Sequence, residues 1–190
     1  MTVAQPMPRM TMAATSRTAL LVNVVAFQLG WFACILGAAH GWPWAGTAIA
    51  VAIVARHVLG AARPAAEMKL VLCAVALGAL CDSSLVMLGL LNFASGTLIA
   101  GGAPHWILGM WALFATTLNV SLNWLKGRWL VAAVLGAAGG PLSYWAGVRL
   151  GAVALIDPVP ALAALAVCWA IAMPLLMVCA RRYDGIHDSQ

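Results

Sequence analysis

Charge is what this chain has least of. Asp, Glu, Lys and Arg make up 8% of its 190 residues, against about 25% in a soluble globular domain. A hydrophobic fraction of 64% is too large for a water-soluble fold of this length to hide. Metal-type cysteine spacings are missing as well. Cys34, Cys73, Cys81, Cys168 and Cys179 all lie within or at the ends of apolar runs. They read as small buried side chains, and neither a disulfide framework nor a zinc site is expected from them. The chain has no Gly-rich phosphate loop, no nucleophile elbow and no His-x-x-x-His pair, so no motif asks for a cofactor or a metal. The net charge of +5 would suggest nucleic acid in a soluble protein. Here the cations sit between apolar runs, where they orient a chain in a membrane, and no nucleic-acid partner is expected.

What is present is a series of six long apolar runs, at approximately 19–39, 43–62, 69–91, 105–125, 129–155 and 159–180. A hydrocarbon core about 30 Å thick takes roughly 20 such residues per helix. The runs lack the alternating period of barrel strands. The expected fold is therefore all-α, a polytopic bundle of six transmembrane helices spanning 19–180, with cytoplasmic tails at 1–18 and 181–190. Gly41-Trp42-Pro43, Arg63-Pro64, the Gly/Ala/Ser-rich stretch Asn92–Pro104, Lys126-Gly127-Arg128 and Asp157-Pro158 mark the boundaries. Nine of the ten cations fall in the tails and alternate connections, and Arg149 is the exception. Both termini are accordingly placed in the cytoplasm. Trp42, Trp44, Trp106 and Trp145 then form an aromatic belt near the outer boundary, with Trp124 and Trp129 near the inner one.

The fifth run carries Gly139-Gly140-Pro141 in its middle. Proline there predicts a kink or a short unwound stretch. Gly136, Gly140, Ser143, Gly147 and Gly151 share one helical face, which would let another helix come close.

Ionisable groups inside a membrane are functional candidates by default. Asp82, in the outer half of the third span, is the clearest, and Gly78 and Gly89 share its face. His105 and Tyr144 belong to the same half, with Asp82 as acid or base and His105 as its partner. Arg149 is expected to pair with Asp157 or to anchor a lipid phosphate, which its planar fork suits. The fourth run has a polar or small stripe of His105, Gly109, Ala112, Thr116, Asn119 and Asn123, which fits interhelical hydrogen bonds or a substrate groove. Gln28 and Asn23 are amides in an apolar span and need partners. Asn119 or Asn123 would serve Asn23. Glu67, flanked by Arg63 and Lys69, reads as an interfacial charge cluster or a binding residue. A metal site from His40, His105 and Asp82 has no spacing to support it.

Several segments resemble a bacterial inner-membrane family, the domain of unknown function 2878. They are Asn23 to Ala39, Glu67 with Asp82 and Gly89, Pro104-His105-Trp106 with Trp111-Ala112-Leu113-Phe114, Thr117 to Leu125, and Gly140 to Ala152. The resemblance covers roughly 19–180. It implies no established activity. Members of that family are expected beside genes for lipid-modifying methyltransferases, which implies lipid metabolism. The third span is also similar to that of small membrane hydrolases of the lysoplasmalogenase type, but this chain has fewer spans and no second aspartate within one.

The function expected is that of a lipid-related membrane enzyme or accessory protein with a polar pocket in the outer half of the bilayer, its partner a membrane lipid. The alternatives are a structural or assembly partner of a membrane complex, or a small dimeric transporter or exporter. The small-residue face of the fifth run motivates the first, and the stripe of the fourth the second.

Overall fold

The computed structural model describes residues 16–187; the tail at 1–18 falls almost wholly outside them, and the other tail is described as far as His187. Among these residues the chain forms six helices: α1 (Arg17–Ala39), α2 (Pro43–Leu59), α3 (Pro64–Met87), α4 (His105–Leu118), α5 (Trp129–Arg149) and α6 (Pro158–Arg182). Local chemistry sets most of the starts. The Ser16 hydroxyl caps α1 by accepting from the Ala19 N–H at 3.1 Å. Pro43, Pro64 and Pro158 open α2, α3 and α6 at positions where a missing N–H costs nothing. Between α4 and α5 the chain makes a 3-10 turn, Asn123–Leu125, and then turns at Gly127 with φ +84°.

α1, α3, α5 and α6 are long and apolar enough to cross a membrane, whereas α2 and α4 are shorter apolar helices of 17 and 14 residues. The expected fourth helix over 105–125 is corrected. It stops at Leu118, with Asn119 as its cap. The fifth run was expected to reach 155, but α5 ends at Arg149, and hydrogen-bonded helix runs through Pro141 without an unwound stretch.

Two three-residue strands, β1 (Leu91–Phe93) and β2 (Val153–Leu155), pair antiparallel with Leu91 opposite Leu155. They join the α3–α4 and α5–α6 connections, and this end of the bundle is called the strand end below. The opposite end, with Lys126, Arg128 and Arg181, is the basic end. At the strand end Trp42, Trp44 and Trp145 are exposed. Trp106 is not part of that belt. It is fully buried and its indole N–H donates to the Ser95 carbonyl at 2.9 Å.

α4 is the central helix, packing on α1, α2, α3 and α6, with eight of its 14 residues buried. None of its residues is exposed, so it has no outward face to present. α5 lies chiefly against α6, and α1 against α2. Gly136 makes the first of these contacts, because a β-carbon there would run into the Trp169 carbonyl. The small-residue face of α5 is thus occupied within the chain. Gly136 and Gly140 meet Trp169, and Gly147 meets Val153 and Ile35. Gly136→Ala should lower stability in micelles by about 1–3 kcal/mol through overpacking. Gly139→Ala, where a β-carbon meets nothing within 4 Å, should cause no loss. Thermal unfolding of the two variants side by side checks this.

Candidate functional site

Asp82 lies near the strand end of α3 and is 1% exposed. Its carboxylate joins three helices. Trp111 of α4 donates its indole N–H to Oδ2 at 2.7 Å, and Tyr144 of α5 donates its phenol O–H to Oδ1. Both donors are nearly or fully shielded from solvent, and in such low-dielectric surroundings each hydrogen bond is stronger than in water. Gly78, one turn before Asp82, makes room for the Trp111 ring, since a β-carbon there would fall inside the indole. Trp111 in turn stacks on Trp169 of α6 with centroids 4.5 Å apart and planes 12° from parallel. Phe114 meets Trp169 edge-on at 5.4 Å.

Beside this group is a cavity of about 530 Å³. It is bounded by Gln28 and Trp31 of α1, Trp111 of α4, Gly139 and Tyr144 of α5, and Trp169 of α6. α1 and α5 meet at few points. One is the hydrogen bond from the Trp31 indole to Ser143 Oγ at 3.2 Å. The cavity opens sideways between these two helices, at the exposed Leu135 and Leu142. Its lining is predominantly apolar.

The residues singled out from the sequence separate into four places. Asp82 and Tyr144 come together as expected of neighbours. His105 does not join them, so the expected Asp82–His105 pairing is corrected. The His105 ring stacks on Trp44 at 3.9 Å, and its Nδ1 is 2.7 Å from the Thr47 hydroxyl. Arg149 is exposed at the strand end of α5. It forms no ion pair with Asp157, because the ion pairs among the described residues are His57–Glu67, Lys126–Asp184 and His187–Asp184. Gln28 is exposed at the lip of the cavity.

Glu67, Asn119 and Asn123 lie at the basic end. Glu67 is fully buried, which corrects its placement in an interfacial charge cluster. His57 Nε2 donates to its Oε2 at 2.9 Å, while Asn119 Nδ2 and the Gly185 N–H donate to Oε1 at 2.6 and 2.9 Å. These bonds fasten the segment after α6 to the start of α3. Lys126 adds an ion pair to Asp184 at 2.6 Å, and Arg63 donates to the carbonyls of Asp184 and His187. Burial alone would push the Asp184 carboxyl up. The Lys126 ammonium and the His187 backbone N–H outweigh it and hold the group below its usual range. Asn123, on the 3-10 turn, belongs neither to a continuous stripe nor to the cavity. Asn23 is served by the Thr116 carbonyl at 3.0 Å and the Ser121 hydroxyl at 2.8 Å, in place of Asn119 or Asn123.

Sequence reasoning missed Trp111, Trp169 and Gly185. The tryptophans carried a signal in hindsight: an indole N–H inside a span needs an acceptor, and Asp82 is the carboxylate there. Nothing in hydropathy points to Gly185. Among the described residues no three His, Cys, Asp or Glu side chains gather as a metal ion would require.

Fold and site together define a helical protein of the multi-pass membrane class, with a side-opening cavity next to a buried carboxylate. The chain belongs to the family described as protein of unknown function (DUF2878), whose model matches residues 20–175. No curated protein and no solved structure matches it.

Proposed function

We propose that this chain is a lipid-binding protein of the bacterial inner membrane, acting in lipid metabolism as an enzyme or its accessory. It crosses the bilayer six times with both termini in the cytoplasm, α2 and α4 completing their crossings through the turns that flank them. The strand end then faces outward, and Asp82 and Tyr144 lie in the outer half. A lipid chain enters between α1 and α5 and lies along the aromatic wall. Tyr144, whose O–H is held by the Asp82 carboxylate behind the wall, lines the space where that lipid lies, and Arg149 stands at the strand end beyond it.

The observation that carries this reading is the apolar cavity of about 530 Å³ opening sideways beside the Asp82–Tyr144 pair. Its volume is in the range of small-molecule sites, about 300–1,000 Å³. Charge distribution supports the orientation, with nine of ten cations on the cytoplasmic side.

The test is lipid occupancy. Purified protein, extracted and analysed by mass spectrometry, should carry one lipid species well above its share of the membrane. Gly139→Phe should abolish that enrichment while the protein stays folded, because Gly139 lines the cavity and its β-carbon position is open. Equal lipid content in the two proteins, matching the bulk membrane, would sink the reading.

A further inference from the structure

The cavity holds no ionisable cation or anion. Among its lining residues there is no Asp, Glu, Lys, Arg or His, and the polar side chains other than indoles are Gln28, Ser143 and Tyr144. A lipid phosphate inside it would find no positive partner, and burying an unpaired charge is prohibitive. The fit is to a neutral ligand.

Gln28 narrows the class further. It stands at the middle of α1, exposed on the side where the cavity opens. No described residue hydrogen-bonds its amide. An amide facing hydrocarbon without a partner is costly, so a ligand oxygen at this depth would satisfy it. Gln28 is close to one turn from Trp31, whose indole N–H donates to Ser143 Oγ. The amide and the hydroxyl therefore flank the same opening. The amide N–H₂ and the serine O–H can both donate from one lip, which matches a carbonyl or hydroxyl oxygen on the ligand. The walls add a second preference. Phe27, Trp31, Trp111, Phe114, Tyr144 and Trp169 all line the cavity, and such rings favour a flat π system over a saturated chain.

We propose that the occupant is a neutral lipid with an oxygenated unsaturated ring, a quinone or quinol, whose ring oxygen is held by Gln28 and Ser143. This rests on the lipid-binding reading above and names its ligand class.

The experiment uses the full chain in nanodiscs and follows its unfolding midpoint against added probe, since a ligand that binds the folded state raises it. The probes are a decyl-substituted benzoquinone, decylcyclohexane, which has a ring and a chain but no oxygen, and phosphatidylglycerol. The benzoquinone should bind about tenfold tighter than either of the others. Gln28→Leu, at an exposed position that tolerates the change, should erase that preference and leave decylcyclohexane affinity as it was. Gly139→Phe should remove binding of all three. Phosphatidylglycerol or decylcyclohexane binding as tightly as the quinone would overturn the ligand class and leave the lipid reading standing. So would a Gln28→Leu protein that keeps its preference. Absence of binding by every probe, or binding untouched by Gly139→Phe, would remove both.

Discussion

Glu67→Ala should destabilise the folded protein by about 3–5 kcal/mol, because each donor stranded in a buried site costs about 1–3 kcal/mol. The carboxylate accepts from His57, Asn119 and Gly185 at 2.6–2.9 Å in a site with no solvent exposure. Its removal strands three donors together. The segment from Tyr183 to His187 should then leave the surface of α3, and trypsin should cleave after Arg182 faster than in the unaltered protein. Glu67→Gln keeps an oxygen for Asn119 and Gly185 and turns an amide N–H₂ toward His57. It should cost less than half as much. Thermal unfolding in micelles with timed proteolysis measures both effects. A Glu67→Ala protein that unfolds at the original midpoint with its tail still protected would show that this buried group holds nothing together.

Asp82→Leu should be the second most damaging change. Leucine keeps the aspartate's branching, in a bulkier form, but leaves the Tyr144 O–H and Trp111 N–H without an acceptor. Each stranded donor costs about 1–3 kcal/mol. α3, α4 and α5 lose the point at which they are joined, and the Trp111–Trp169 stack loses its tether. Indole fluorescence should shift as the ring moves. Asp82→Asn retains one oxygen and should lose roughly half as much, because its N–H₂ cannot accept from the second donor. If Asp82→Leu proved as stable as the original chain, the carboxylate would have no part in packing. The Asp82–Tyr144 pair would then have to be explained by chemistry alone.

Much of the helical layout was legible in the sequence, and the reasons are local. Pro43 and Pro158 open helices close to the expected starts, and the starts of α1 and α5 followed from hydropathy, whereas α3 begins at Pro64, ahead of the expected 69, because a proline that closes one apolar run can also open the next helix. The end of α4 was hidden because Leu122 and Leu125 keep the sequence apolar after the helix has stopped at Leu118. Hydropathy responds to burial in protein as readily as to burial in lipid, and Leu125 is fully buried in the turn. The strands at Leu91–Phe93 and Val153–Leu155 are too short to show a period of two.

The candidate site was half legible. A lone aspartate in a span announces itself, and Tyr144 lies beside it. Pairing it with His105 assumed that residues at one depth face one another. Depth follows from counting along a helix, whereas facing depends on how helices pack, and Trp111 occupies the place the histidine was given. Glu67 shows the same limit in reverse. Its neighbours in sequence, Arg63 and Lys69, suggested a surface cluster, but its partners come from α2, from the cap of α4 and from the segment after α6.

The β1–β2 ladder has a mechanical consequence. It bolts the α5–α6 hairpin to the α3–α4 hairpin at one rim, while the opposite end of α5 continues into a turn at Gly127. Both rims of α5 are therefore held, one by the ladder and the other by Lys126–Asp184, so a separation of α5 from α1 would bow the helix outward between two fixed ends.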